Sequence, residues 1–405
     1  MSKMKYSGVE WLGIIPVEWK VQPLKYLYNM YAGGDVDFEN YSVEKNEEHN
    51  IPIYSNSLDK DGLFGYTNRY RFFGNTFTVT GRGDVGKAIP RNEKFYPIVR
   101  LLVCVPKNKS DNRFYSYVVN SADLIGDQTA MAQLTTQKLG IVKVPIPSIK
   151  EQVQIADFLD EKISNLNNIL FDLNKQIEIL NKYKKSIITS LLIDQIGIKQ
   201  KLKYLCKIQG RIGFKGYSVD DLVSEGNGAL SIGAAHIKNN KIDLTSPVYI
   251  SWEKYYESPE IMLKKNDILL VQRGSLGNVA ILDEDIGKAT INPSMLIIKD
   301  IIGNEKYIYY LMQTELFKSY IDLINTATAV PMISQTQLYN FEFILPSREK
   351  QDNIVKYLDK KCEQIDKIIE EKQKQIEKIE EYKKSVIYEY VTGKKRVEGA
   401  EELYG

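Results

Sequence analysis

Two stretches of this chain carry the same long amphipathic pattern, 199 residues apart. Residues 147–192 align with 346–391 without a gap. Shared positions include Pro147/Pro346, Ser148/Ser347, Gln152/Gln351, Leu159/Leu358 and Asp160/Asp359. Lys175-Gln176-Ile177-Glu178 and Tyr183-Lys184-Lys185-Ser186 recur as Lys374-Gln375-Ile376-Glu377 and Tyr382-Lys383-Lys384-Ser385. A repeat of this size means two copies of one unit, each a globular head followed by a long helix. With 405 residues, two heads plus an elongated element is the natural division.

Within the first copy the apolar positions are Leu159, Ile163, Leu166, Leu170, Leu173, Ile177, Leu180, Ile187 and Leu191. Their spacing is mostly alternating fours and threes, the 3.5-residue seam of a coiled coil. The second copy supplies Leu358, Cys362, Ile365, Ile369, Ile376, Ile379, Val386 and Tyr390, each 199 residues beyond its mate. Neither helix can bury its stripe alone, so an intramolecular antiparallel pair is expected. Ser148 and Ser347, each after a proline, are the expected N-caps. Lys372 stands where the first copy has Leu173; it either fixes register or snorkels outward. About 43 helical residues at ~1.5 Å each give a rod of roughly 65 Å. Laid along B-DNA, that length spans about 19 base pairs at ~3.4 Å each.

The heads repeat more loosely. Leu24-Lys25-Tyr26-Leu27 recurs as Leu202-Lys203-Tyr204-Leu205. Gly81-Arg82-Gly83-Asp84-Val85-Gly86-Lys87 recurs as Gln272-Arg273-Gly274-Ser275-Leu276-Gly277-Asn278. Thr129-Ala130 and Leu139 recur as Thr328-Ala329 and Leu338. The offset grows from 178 to 191 to 199, so the second head is longer. Both heads read as mixed α/β. Strands are expected at 76–80, 98–105, 268–271 and 294–298, a helix at 305–324, and closing strands at 142–146 and 341–345.

Hydrophobic residues make up 43% of the chain, enough for real cores. No apolar run reaches the ~18–20 residues of a membrane span. The first residues lack a signal-peptide core, so a cytoplasmic location is expected. Cys104, Cys206 and Cys362 are too widely spaced for a zinc site or a disulfide framework. His49 and His236 are the two histidines. Without a supporting motif they read as ordinary loop or core residues. The net charge of +2 neither demands nor excludes nucleic acid, because a binder can gather its positive charge on one face.

Residues 81–87 match the opening of a phosphate-binding P-loop, but Ala88 replaces the hydroxyl that would hold magnesium, and Asn278 replaces Lys87 in the repeat. A tight turn after a strand is the better reading. It puts Arg82, Lys87, Arg273, Ser275 and Asn278 in exposed loops, where a guanidinium can reach a phosphate or a guanine edge. Asn292-Pro293-Ser294-Met295 lacks the second proline and aromatic of an adenine methyltransferase motif. Basic and aromatic residues interleave at Arg69, Tyr70 and Arg71 in one head and at Arg211, Lys215 and Tyr217 in the other. Such loops can stack and donate to phosphates, or can be simple solvated turns.

Trp11-Leu12-Gly13-Ile14-Ile15-Pro16-Val17-Glu18-Trp19 is similar to the Trp-Leu-Gly-x-Ile-Pro-x-x-Trp start of type I restriction–modification specificity subunits. Pro147-Ser148-Ile149-Lys150-Glu151-Gln152-Val153-Gln154-Ile155-Ala156-Asp157-Phe158-Leu159-Asp160 resembles the opening of their conserved helix. The second copy departs at Lys350 and Val355 but keeps Gln351, Ile354, Leu358 and Asp359. The resemblance covers essentially the whole chain.

The resemblance implies two α/β target recognition domains, 1–146 and 201–345, joined by a long antiparallel two-helix coiled coil from 147–200 and 346–405. Each domain would read one half of a bipartite site in double-stranded DNA through the major groove, with the helices setting the gap. Two DNA adenine methyltransferase subunits would dock on the helices, whose seam includes Leu159, Ile163, Leu166, Leu170, Ile177, Leu358, Ile365, Ile369 and Ile376. Two restriction subunits can join such a complex. The chain itself would be non-catalytic and without cofactor, since S-adenosylmethionine and ATP with Mg²⁺ would sit on the partner subunits. A protein-organising scaffold that reads no DNA, and a nucleotide-using or methyl-transferring enzyme, are the competing readings.

Overall fold

The computed structural model describes residues 3–122, 133–213, 216–325 and 331–397. The chain divides into two compact units, neither contiguous in sequence. Unit one is Met1–Leu173 with Lys374–Gly405, and unit two is Asn174–Gln373. The long helices are unbroken over Ile149–Ile193 and Arg348–Val391, so each unit holds part of both. Both start as the sequence predicts. Ser148 Oγ accepts from the Glu151 N–H at 3.3 Å, and Ser347 Oγ from the Lys350 N–H at 3.4 Å.

Within each unit the helix segments pair antiparallel. In unit one Phe158 packs on Tyr390 with ring centroids 4.4 Å apart, and Lys383 donates to Asn167 at 2.7 Å. In unit two Lys372 donates to Gln176, and Lys184 bonds Asp366 at 2.6 Å. Leu159, Ile163, Leu166, Leu170 and Leu173 are at most 8% exposed, and Leu358, Cys362 and Ile365 are equally buried. Ile177, Ile369 and Ile376 are only half-buried. Lys372 snorkels outward to the Gln176 amide rather than sitting under the seam. At the end of the first helix Ile188 and Leu192 are buried, whereas the expected Ile187 and Leu191 are half-buried. A helix of 3.6 residues per turn drifts off a 3.5-residue seam, and here its last turns pack into the head of unit two.

Each head is built on a four-stranded antiparallel sheet of the same order. In unit one it runs Tyr28–Ala32, Leu102–Pro106, Thr76–Val79, Ala88–Arg91. In unit two it runs Lys207–Gly210, Met295–Lys299, Ile268–Val271, Val279–Ile281. A second sheet contains one parallel pairing in each head, Ile53 with Tyr96 and Leu230 with Ala289. In unit two this sheet gains the strand Leu222–Val223, which absorbs part of the extra length of that head. The closing strands Lys143–Ile146 and Glu342–Leu345 pair with Lys20–Pro23 and Ile198–Lys201. The Leu-Lys-Tyr repeat forms the same 3₁₀ turn in both.

Two expectations need correction. The strand expected over 98–105 begins only at Leu102, because Val99 and Arg100 take positive φ and turn the chain. The helix expected over 305–324 is two helices, Glu305–Leu311 and Glu315–Ile324. Thr314 caps the second through a bond from the Phe317 N–H, and a threonine that favours a new N-terminus breaks the run.

The join between head and helix is the same in both units. Gln152, buried, donates to the Pro147 carbonyl at 3.0 Å and accepts from the Asp111 N–H at 3.0 Å. Gln351 donates to the Pro346 carbonyl at 2.9 Å and accepts from the Asn304 N–H at 3.0 Å. Asp111 and Asn304 cap the helices Asn112–Ser121 and Glu305–Leu311. From those helices Arg113 and Tyr117 bond Asp160 at 2.9 and 2.8 Å, and Lys306 and Tyr310 bond Asp359 at 3.0 and 2.7 Å.

The departure of Lys350 from Glu151 also has a physical reason. In unit one the Trp19 indole N–H donates to the buried Glu151 carboxylate at 3.0 Å, while Lys350 lies exposed. Around that contact, Gly393 with φ +69 lies so close to Pro16 and Trp19 that a Cβ would meet them at 2.6 and 2.9 Å. The Trp-Leu-Gly-x-Ile-Pro segment thus seals the start of one long helix to the end of the other.

Replacing Gln351 by Leu orphans the Asn304 N–H and the Pro346 carbonyl in a buried joint. Urea unfolding should show a loss of about 1–2 kcal/mol, and an unchanged midpoint would mean that water satisfies both groups.

Candidate nucleic-acid interface

In both heads the arginine loop joins two neighbouring strands of the main sheet, Thr76–Val79 to Ala88–Arg91 and Ile268–Val271 to Val279–Ile281. Its turn is the same twice over. The Gly86 N–H donates to the Thr80 carbonyl at 2.8 Å, and the Gly277 N–H to the Val271 carbonyl at 3.0 Å. Gly83, Gly86, Gly274 and Gly277 all have positive φ, so only glycine meets this turn without strain. The loop base is clipped by a distant segment in each unit: the Leu134 N–H to the Gly81 carbonyl at 3.1 Å, and the Ile333 N–H to the Gln272 carbonyl at 3.1 Å. Strand–loop–strand is not the strand–loop–helix of a phosphate cradle, so the structure agrees with the tight-turn reading over the P-loop.

Arg82, Lys87, Arg273, Ser275 and Asn278 are exposed on these loops, as the sequence predicts. Arg82 reaches Gln133 at 3.5 Å and Arg273 reaches the Met332 sulfur at 3.2 Å, each through one guanidinium nitrogen, which leaves donors to spare. In unit one Arg69, Tyr70 and Arg71 are exposed too, though not as one patch. Arg69 pairs with Asp37 at 3.2 Å and Arg71 donates to the Ala32 carbonyl at 3.2 Å. Tyr70 packs edge-on to Phe73 with the Lys94 ammonium 4.7 Å from its ring.

The corresponding loop of unit two departs from expectation. Arg211 is buried at 7% exposure, donating to the Ile291 carbonyl at 3.2 Å and to Thr290 Oγ1 at 3.3 Å. Burial draws its guanidinium below the usual basicity. Tyr217 is half-buried, with its hydroxyl 2.8 Å from Ser231 Oγ and its ring under Arg211. Both hold the loop to the second sheet, because an arginine beside a sheet end can satisfy free backbone carbonyls. Lys215, Thr129-Ala130 and Thr328-Ala329 lie outside the described residues.

The helix-seam residues proposed for partner docking are covered within the chain. Leu159, Ile163, Leu166, Leu170, Leu358 and Ile365 are buried, so a partner must use other faces of the helices. Those faces carry exposed apolar side chains, among them Phe171, Ile179 and Tyr183.

Other chemistry finds little support. Asn292 accepts from the Ser294 N–H and hydroxyl at 2.9 and 2.6 Å, so its amide is committed to its own turn. His236 is buried, with Nδ1 accepting from the Gly233 N–H at 2.9 Å. The three cysteines are buried and free, and burial raises their thiol pKa values, that of Cys206 to about 12. Among the described residues no cluster of three or more His, Cys, Asp or Glu has metal-binding geometry, and no helix is long and apolar enough to cross a membrane.

Sequence reasoning missed Asn56 and Arg100, which adjoin the arginine loop of unit one. The Asn56 side-chain Oδ1 accepts from the Gly81 N–H at 2.7 Å across 25 residues. Neither belongs to a motif, and only the fold brings them there.

The type I restriction modification DNA specificity domain matches this chain twice, over residues 16–179 and 202–379. A putative type I specificity subunit of Mycoplasma pneumoniae is 28% identical over 165 residues, 41% of this chain and 46% of that protein. The chain spans about half the length of the Mycoplasma relatives it matches first. The putative type I restriction enzyme MjaX specificity subunit of Methanocaldococcus jannaschii is 24% identical over 394 residues, 86% of this chain and 87% of that protein. A chain solved in work on complex assembly and conformational transition of the type I R-M system shares the fold. It has a TM-score of 0.69 over 93% of this chain and 98% of that one, at 12% identity. The Mycoplasma and Methanocaldococcus relatives are type I specificity subunits by name. With two copies of the domain spanning most of its length, the chain belongs to the type I restriction modification DNA specificity family.

Proposed function

We propose that this chain reads a bipartite site in double-stranded DNA, one half-site per unit, and that its two long helices set the gap between the halves. The observation that carries the reading is one architecture built twice with different exposed side chains. Both units present the same glycine turn after the same strand, but Arg82 and Lys87 in one correspond to Arg273 and Asn278 in the other. A shared scaffold with unlike tips suits two readers of unlike sequences. Phosphate contacts would supply salt-dependent grip and base contacts the choice of sequence.

Each long helix runs without a break from one unit into the other. Two modest readers on a stiff spacer gain affinity when both half-sites lie at the permitted distance, and lose it otherwise. In this reading two adenine methyltransferase subunits dock on exposed faces of the helices and bring S-adenosylmethionine. Restriction subunits, where they join, bring ATP and Mg²⁺. The chain itself holds no cofactor and works in the cytoplasm beside the DNA.

Exchanging residues 21–146 for another head should change one half-site and leave the other intact, as read by modified-base sequencing; a change in both would contradict modular reading. Inserting seven residues after both Asn174 and Gln373 adds about 10.5 Å of helix and should lengthen the tolerated gap by up to ~3 base pairs. An unaltered gap would reject the spacer. Arg82→Ala or Arg273→Ala should weaken binding by roughly tenfold through one half-site only.

A further inference from the structure

The turn that replaces the start of the expected strand at 98–105 is unusual. Val99 and Arg100 have φ of 52° and 59°, the left-handed region that a β-branched residue rarely enters. Val99 is 46% exposed and Arg100 is exposed as well. No apolar burial at Val99 accounts for the conformation; the surrounding backbone and one amide impose it. The Val99 N–H donates to the Gly34 carbonyl at 2.8 Å, and the Gly33 N–H to the Leu101 carbonyl at 2.8 Å. Gly33 is required by close approach, since a Cβ there would lie 2.8 Å from the Pro97 carbonyl. The Asn56 amide donates to the Val99 carbonyl at 2.5 Å while accepting from Gly81, so one side chain ties this turn to the arginine loop.

The turn lies between two other arginines. A Cβ on Gly81, the neighbour of Arg82, would be 3.1 Å from the Arg100 carbonyl, and the Arg71 guanidinium lies beside Gly34. Arg100 makes no side-chain hydrogen bond or ion pair with the described residues. Strain held by surrounding structure marks places where a side chain must be presented in one position. The second head offers a contrast. Its strand pairing places Ser294 where unit one has Arg100, from Val103 opposite Tyr31 and Ile297 opposite Gln209. There the Gln272 amide donates to the Pro293 carbonyl at 2.9 Å, as Asn56 does to Val99. The brace is rebuilt with another residue, but the Ser294 hydroxyl is turned inward to Asn292 and the Ala234 N–H and neither Pro293 nor Ser294 has positive φ, so the strained, exposed turn belongs to unit one.

We infer that the Val99–Arg100 turn is a base-contacting finger of unit one, which the Asn56 amide braces against the arginine loop and which offers the Arg100 fork to the major-groove edge of a guanine. The inference rests on the DNA-reading function proposed above. A guanidinium pairs with guanine O6 and N7 through two parallel bonds, which an ammonium cannot reproduce. Arg82 and Arg71 on either side are placed to hold the flanking phosphates.

The test uses the full chain assembled with its methyltransferase partners. The probes are duplexes carrying the methylated motif of the host genome and copies with each base pair of each half-site replaced singly. Arg100→Ala should lose roughly 5- to 150-fold discrimination at one G·C pair of one half-site, leaving the other positions and the other half-site unchanged. Arg100→Lys should fail to restore it, and Asn56→Ala should weaken discrimination at the same pair. Full discrimination by Arg100→Ala, or an equal loss at every position of the half-site, overturns the finger while the bipartite reading stands. A wild-type complex that binds all duplexes alike overturns both. Intact discrimination at the second half-site reports that each variant is folded.

Discussion

The structure depends on an apolar seam that neither long helix can bury alone. In unit one Leu159 of the first helix and Val386 and Val391 of the second join the same core as Leu12, Trp19, Phe77 and Tyr115 of the head. In unit two Ile188 and Leu192 join Leu358 and Cys362 in the core that holds Tyr307, Phe317 and Phe341. Head and helix pair therefore share one hydrophobic core in each unit. At about 25 cal/mol per Å² of apolar surface, this burial is what makes each helix an integral part of a head.

The polar contacts at the joins complete what burial begins. Hydrophobic contact sets no angle, whereas Gln152 and Gln351 fix the start of each long helix by tying it to the cap of a head helix. Asp160 and Asp359 then receive a cation and a tyrosine hydroxyl from that same head helix. These groups have hydrogen-bond partners in partly dry surroundings, where an unpaired one would be costly. The repeated joints differ in residue type, Arg113 against Lys306 and Asp111 against Asn304, yet keep the same geometry. What is repeated is the orientation of head on helix; what varies is the chemistry at the loop tips.

The contrast between Arg82 and Arg211 shows how that division governs the reading surface. Both follow strands of a head sheet and both adjoin glycine. Arg82 leaves the sheet on a hairpin loop closed by its own backbone, the Gly86 N–H to the Thr80 carbonyl, so the side chain stays exposed with one long contact to Gln133. Arg211 leaves beside the end of the second sheet, where the Ile291 carbonyl is available, and it is drawn inward. A guanidinium is a fork of donors, and it turns to whichever acceptors are nearest, solvent or backbone.

By itself the sequence determined the two-copy plan, the antiparallel helix pair, the serine caps and the glycine turns of the arginine loops. These follow from local or strictly periodic features: a 3.5-residue stripe, a capping hydroxyl, a position that only glycine tolerates. The recurrence of Pro-Ser and Gln 199 residues apart marked the joins, but not what the glutamines hold. Tertiary structure alone decided that Arg211 and Tyr217 fold inward, that 305–324 breaks at Thr314, and that the buried face of the first helix shifts to Ile188 and Leu192. It also decided that Asn56, Val99 and Arg100 meet beside Gly81. Those outcomes depend on which distant carbonyl, ring or core lies within reach, and contacts across tens of residues leave no periodic trace in the chain.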